Sequence, residues 1–115
     1  MALRIRRNWQ VLEAAIVQAV PAQVGVYELS DADGRVLIVG YAGGRSLFGL
    51  RGELQRELAA RGPGHSFRWE ATSTYLSRRD ELLMLHLGEN GALPPDNPPR
   101  PGLRPLGIPV SKQQS

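Results

Sequence analysis

Gly43-Gly44-Arg45 joins two residues of unusual backbone freedom to a guanidinium, a combination able to meet a phosphate. Glycines let backbone N–H groups approach an anion closely, and Arg45 adds a planar fork of donors. The same glycines serve equally well to make a tight turn. The segment is not a nucleotide-binding P-loop, because the Gly-Lys-Ser/Thr ending is absent. Glu81 and His86 bring titratable groups to a leucine-dense segment. Glu81 reads as a surface charge beside Arg78 and Arg79, and His86 as a partly buried packing residue. Trp69 either fills the core or, if exposed, stacks on a base. Asp31 and Asp33 are turn formers first, and His65, in a Gly/Pro loop, receives no role. The chain has no cysteine, which excludes disulfide scaffolds, thiol nucleophiles and zinc fingers.

These residues need a scaffold, and 115 residues at 42% hydrophobic content suffice for one domain. Trp9, Leu12, Ile16 and Ala19 or Val20 recur at helical spacing and predict a helix over 8–20, closed by Pro21. Two β-branched runs, 24–29 and 35–40, flank Ser30-Asp31-Ala32-Asp33-Gly34 and predict an antiparallel hairpin. The second run is apolar on both faces, which predicts a central strand. After a loop at 41–46, Leu47, Leu50, Leu54 and Leu58 form one stripe of a helix over 47–61. Arg51, Glu53, Arg56, Glu57 and Arg61 are assigned to its opposite face. Residues 67–72 alternate and predict a third strand, and 78–89 predict a last helix. The fold class is therefore α/β in the α+β sense, a three-stranded antiparallel sheet flanked by helices. Three regions follow: a basic segment and helix at 1–20, the folded body at 21–97, and a proline-rich basic tail at 98–115.

The net charge of +3 hides an uneven distribution. Residues 1–7 carry Arg4, Arg6 and Arg7, and residues 98–115 carry Arg100, Arg104 and Lys112 with no acid. The stretch between them is mildly acidic. Basic ends either hold nucleic acid electrostatically or act as solubilising tails. No apolar run reaches the roughly 20 residues of a membrane helix. Asn8, Gln10 and Glu13 interrupt any signal-peptide core. The expectation is a cytoplasmic protein that does not enter a membrane.

Three stretches resemble the GIY-YIG nuclease superfamily. Gly25-Val26-Tyr27 resembles its first motif. Ile38-Val39-Gly40 lies where that family places the second, with Ile38 at its tyrosine. Leu47-Phe48-Gly49-Leu50-Arg51 ends in the arginine placed on the following helix, and Pro94-Pro95-Asp96-Asn97 resembles the closing proline-to-asparagine segment. The resemblance covers residues 21–97.

It implies a metal-dependent DNA endonuclease that hydrolyses phosphodiesters. By that resemblance Tyr27 positions or deprotonates water, Arg51 clamps the scissile phosphate, and a carboxylate holds one Mg²⁺ or Mn²⁺ ion. Glu81 is the candidate ligand, with His86 the alternative. Gly25, Gly40, Tyr41 and Asn97 would support the motif, Tyr41 filling some of the space that Ile38 leaves. Arg45, Gly43 and Gly44 would add phosphate contacts. Tyr27 also reads as a half-buried packing residue and Arg51 as a partner for nearby acids. The competing expectations are a binding module on the same fold without catalysis, and an interaction domain whose proline tail engages a protein partner.

Overall fold

The computed structural model describes residues 4–106. The elements run β1 (Gln10–Val11), α1 (Ala14–Val17), β2 (Gly25–Ser30), β3 (Val36–Ala42), α2 (Gly49–Arg61), β4 (Ser66–Ala71) and α3 (Tyr75–Asn90). The protein is α+β, but its sheet has four antiparallel strands rather than three, in the order β1-β4-β2-β3. No helix among the described residues is long and apolar enough to cross a membrane.

The extra strand comes from the segment expected to be a helix over 8–20. Gln10 and Val11 pair with Phe67 and Ser66 along the free edge of β4, and the Leu12 N–H donates to the His65 carbonyl at 2.9 Å. Only four residues, Ala14–Val17, remain helical. An open sheet edge presents unpaired backbone groups, and pairing there outweighs a weak helical period. Nor do the apolar residues share one stripe: Leu12, Val17 and Val20 are buried, whereas Trp9 is exposed. With Ile5 also buried, the N-terminal segment is part of the folded body.

Side-chain alternation divides the sheet into two faces. Tyr27, Leu29, Ala42, Phe67 and Trp69 pack with Leu50 and Leu54 of α2 and with Leu12, Val17 and Val20. Val26 and Val39 pack with Leu82 and Leu83 of α3. The sheet is thus sandwiched, with α1 and α2 on one side and α3 on the other. This explains why β3 is apolar on both faces although it is an edge strand, not a central one.

The open edge of β3 is covered by the chain beyond α3. The Asp96 N–H donates to the Leu37 carbonyl. The Asn97 side chain accepts from the Val39 N–H at 2.8 Å and donates to the Val39 carbonyl at 3.0 Å. Further on, Leu103 packs against the α3-side core, and the Leu106 N–H donates to the Met84 carbonyl at 2.9 Å. Gly88 makes that approach possible, since a Cβ there would stand 1.7 Å from the Leu106 carbonyl oxygen. The tail through Leu106 therefore lies on its own domain. Ile108, Val110 and Lys112 lie outside the described residues.

Candidate functional site

Tyr27 sits at the middle of β2 with 4% of its surface exposed. Its ring lies over Gly40, its partner across the β2–β3 ladder. A Cβ on Gly40 would fall 2.2 Å from the Tyr27 Cζ, so the glycine creates the space for the ring. The phenol then reaches α2, where it donates to Glu57 Oε2 at 2.7 Å. Glu57 Oε1 accepts from Arg61 Nε at 2.8 Å, and Arg61 Nη1 donates to Asp96 Oδ2 at 2.7 Å. A continuous relay, Tyr27–Glu57–Arg61–Asp96, thus links the sheet, α2 and the segment after α3.

That relay fixes the proton on Tyr27. Burial, then the charge and hydrogen bond of Glu57, push the phenol well above its ordinary value of 10.0. In this arrangement the hydroxyl is a donor, not the proton acceptor that its motif position implies.

The residues expected to converge with Tyr27 do not. Arg51 donates from Nε to the Val20 carbonyl at 2.8 Å, on the flank of α2 beside α1. The reason is helical geometry. Residues two apart are about 200° apart around a helix, so Arg51 cannot share the flank from which Glu53 and Glu57 act on Tyr27. Glu81 lies on the other side of the sheet, bonded to Arg78, which also holds Glu70 of β4 at 2.8 Å. His86 turns its Nδ1 to the Ala92 carbonyl at 2.9 Å. Among the described residues no three His, Asp or Glu side chains are grouped as a metal ion needs. A single Mg²⁺ or Mn²⁺ ion held by one carboxylate would have to share Glu81 with the Arg78 guanidinium.

The remaining expectations separate in the same way. Tyr41 cannot fill the place of a tyrosine at Ile38, because three residues along a strand is the opposite face. Its ring instead stacks on Tyr75 of α3, with centroids 5.7 Å apart. The Gly43 N–H donates to Ser46 Oγ and the Gly44 N–H to the Tyr75 hydroxyl, so neither amide is free for a phosphate. Exposed Arg45 lines a cleft of about 580 Å³ with Glu53 and Arg56. Gly25 opens β2 between Ala42 and Ala71. Asn97 acts on the backbone of β3.

Several site residues were not singled out from sequence. Glu57 and Arg61 were placed on the solvent face of their helix, yet their side chains are 16% and 18% exposed. The i, i+4, i+8 series Glu53, Glu57, Arg61 was the available signal. Arg79 and Arg100 both line the cleft at the β3 edge and both contact Asp80. Arg100 binds both oxygens of Asp80, at 2.7 and 2.9 Å, and these bonds hold the Asp80 carboxyl below its ordinary value of 3.8.

At the opposite edge of the sheet the N-terminal arm interleaves cations with aromatic rings. The Arg7 guanidinium lies 3.7 Å over the Trp69 ring, and Arg68 lies 4.4 Å over Trp9. Arg4, Arg6, Arg7, Trp69 and Arg78 line a cleft there of about 330 Å³, with Ile5 and Glu70.

Residues 1–89 match a family described as a domain of unknown function, DUF7508. The chain belongs to the DUF7508 family. The DUF7508 match takes in the N-terminal arm, β1 and α1 as well as the hairpin and α3. It stops short of Asp96, Asn97 and Arg100, which come from the segment that follows. No curated protein and no solved structure matched the chain.

Proposed function

We propose that this chain is a nucleic-acid-binding module on a GIY-YIG-like fold, and that it holds its polymer without cutting it. The observation that carries the reading is the arm along β4. There Arg7 pairs with Trp69 and Trp9 with Arg68. Arg6 and Arg7 are exposed beside them, and Trp9 keeps 37% of its surface open. Arginine neutralises backbone phosphates and an open indole face stacks on a base, a pairing that binds strands without reading sequence.

The positions of the other groups support a reading of binding without cutting. Phosphodiester hydrolysis needs a base, a phosphate clamp and a charge-stabilising group around one atom. Here the phenol of Tyr27 is a committed donor to Glu57. Arg51 is tied to a backbone carbonyl, and Glu81 is occupied by Arg78 beyond the sheet.

Titrating a single-stranded oligonucleotide against tryptophan fluorescence tests the arm. Binding quenches the emission and weakens as salt rises. Trp9→Ala lowers affinity roughly tenfold, the scale of one base stack. Arg6→Ala reduces the slope against log salt by about 0.7, one released counterion on a single strand. Wild-type affinity and slope in both variants would refute the arm as the binding surface.

A further inference from the structure

The cleft at the β3 edge has a volume of about 310 Å³ and is lined by Tyr27, Gly40, Tyr41, Arg79, Asn97 and Arg100 among others. Its charges are not matched locally. Arg100 takes both Asp80 oxygens in short bonds, which leaves Arg79 one contact of 3.4 Å to the same carboxylate. The Arg79 Nε is buried and has no acceptor among the described residues. Only 17% of that side chain is exposed. Its guanidinium lies 4.9 Å over the Tyr41 ring, which holds the cation in place without supplying a counter-charge. Asn97 is held by Val39, through its amide oxygen and one of its amide N–H groups.

A guanidinium this far from water is costly to hold unless it is paired. Two arginines sharing one aspartate leave one positive charge in the cleft wall. From this we infer that the cleft is an oxyanion site that takes a phosphate group, with Arg79 as its principal ligand and Arg100 at its rim. The planar guanidinium fork suits phosphate oxygens. A phosphate monoester carries close to two negative charges at neutral pH, so it answers Arg79 and also draws on Arg100. The site is independent of the arm proposed above, because the two lie at opposite edges of the sheet. The phosphate could belong to a free nucleotide or to the end of a strand, and the chemistry at Arg79 is the same.

Nitrogen-labelled full-length protein, observed at its arginine Nε–H and backbone amide resonances, tests the assignment. It is titrated at constant ionic strength with inorganic phosphate, a nucleoside 5′-monophosphate, and oligonucleotides bearing 5′-phosphate or 5′-hydroxyl ends. At least one phosphate monoester shifts the Arg79 Nε–H and the Gly40 and Tyr41 amides saturably. Arg79→Gln weakens that binding at least about tenfold, the loss expected for a charged hydrogen bond. Arg79→Lys keeps the charge without the fork and recovers part of it. Preference for the monophosphate identifies a free nucleotide, and preference for the 5′-phosphorylated strand identifies a polymer end. If Arg79→Gln fails to fold, the wild-type Nε–H decides alone. No saturable shift at Arg79 with any phosphate, or unchanged binding in folded Arg79→Gln, overturns the inference.

Discussion

At the scale of residues, Tyr27 is the clearest case of position setting chemistry. Its ring occupies the space left by Gly40 and its hydroxyl donates to Glu57. Because its folded pKa is raised above 10.0, the protonated phenol contributes stability that is complete below about pH 10. That stability is lost as pH rises beyond it, as the unfolded chain ionises first. Two results follow for Tyr27→Phe. Near neutral pH it costs about 1.5–3 kcal/mol, the value of a hydrogen bond to a charged acceptor. In a near-ultraviolet titration the native protein loses no tyrosinate step, while the unfolded protein loses one. A native titration that loses a step near pH 10 in the variant would show that the phenol is not held by Glu57. The hairpin was legible in the sequence, but the packing of Tyr27 over Gly40 was not singled out there. What the spacing could not supply was the partner. Glu57 lies 30 residues away and looks like any other charge on an amphipathic helix.

At the scale of elements, the exposed edge of β3 decides the shape of the C-terminal segment. Asn97 imitates a strand partner with one amide group, closing both hydrogen bonds of Val39. Asn97→Ala should therefore speed hydrogen exchange at the Val39 amide and cost about 1–3 kcal/mol, because both backbone groups lose their partner. Unchanged exchange at Val39 would refute that role. The hairpin, α2, β4 and α3 were all legible from period and turn chemistry, within about two or three residues at each end. Two features were not. The apolar faces of β3 suggested a central strand, because periodicity reports which faces are covered and not which edges are paired. Residues 10–11 were hidden within a helical period, because two-residue pairing at a sheet edge is a tertiary event with no local signature. The dispersal of Tyr27, Arg51 and Glu81 has the same origin. Whether two residues share a face depends on helix phase and on which side of the sheet each helix packs.

At the scale of the whole molecule, the sheet separates two cationic features. The arginine–tryptophan arm borders β4, and the Arg79–Arg100 cleft borders β3. Excess charge lies in the two ends of the sequence, and the fold sets Arg7 beside β4 and Arg100 beside β3. Charge counting found the arginines. It did not find that Trp9 and Trp69 would alternate with them, which needs the arm to lie beside β4.

The most direct test of binding without cutting follows one sample through two readings. End-labelled single-stranded and duplex DNA are incubated with the full-length protein in Mg²⁺ or Mn²⁺ and in EDTA. Fluorescence anisotropy is read first, and the same samples are then run on a denaturing gel. Binding that weakens as salt rises, is equal with metal and with EDTA, and leaves the DNA at full length is the expected result. Metal-dependent shortening of the DNA, abolished by Arg51→Ala or Glu81→Gln, would contradict it and restore those residues to a shared catalytic centre.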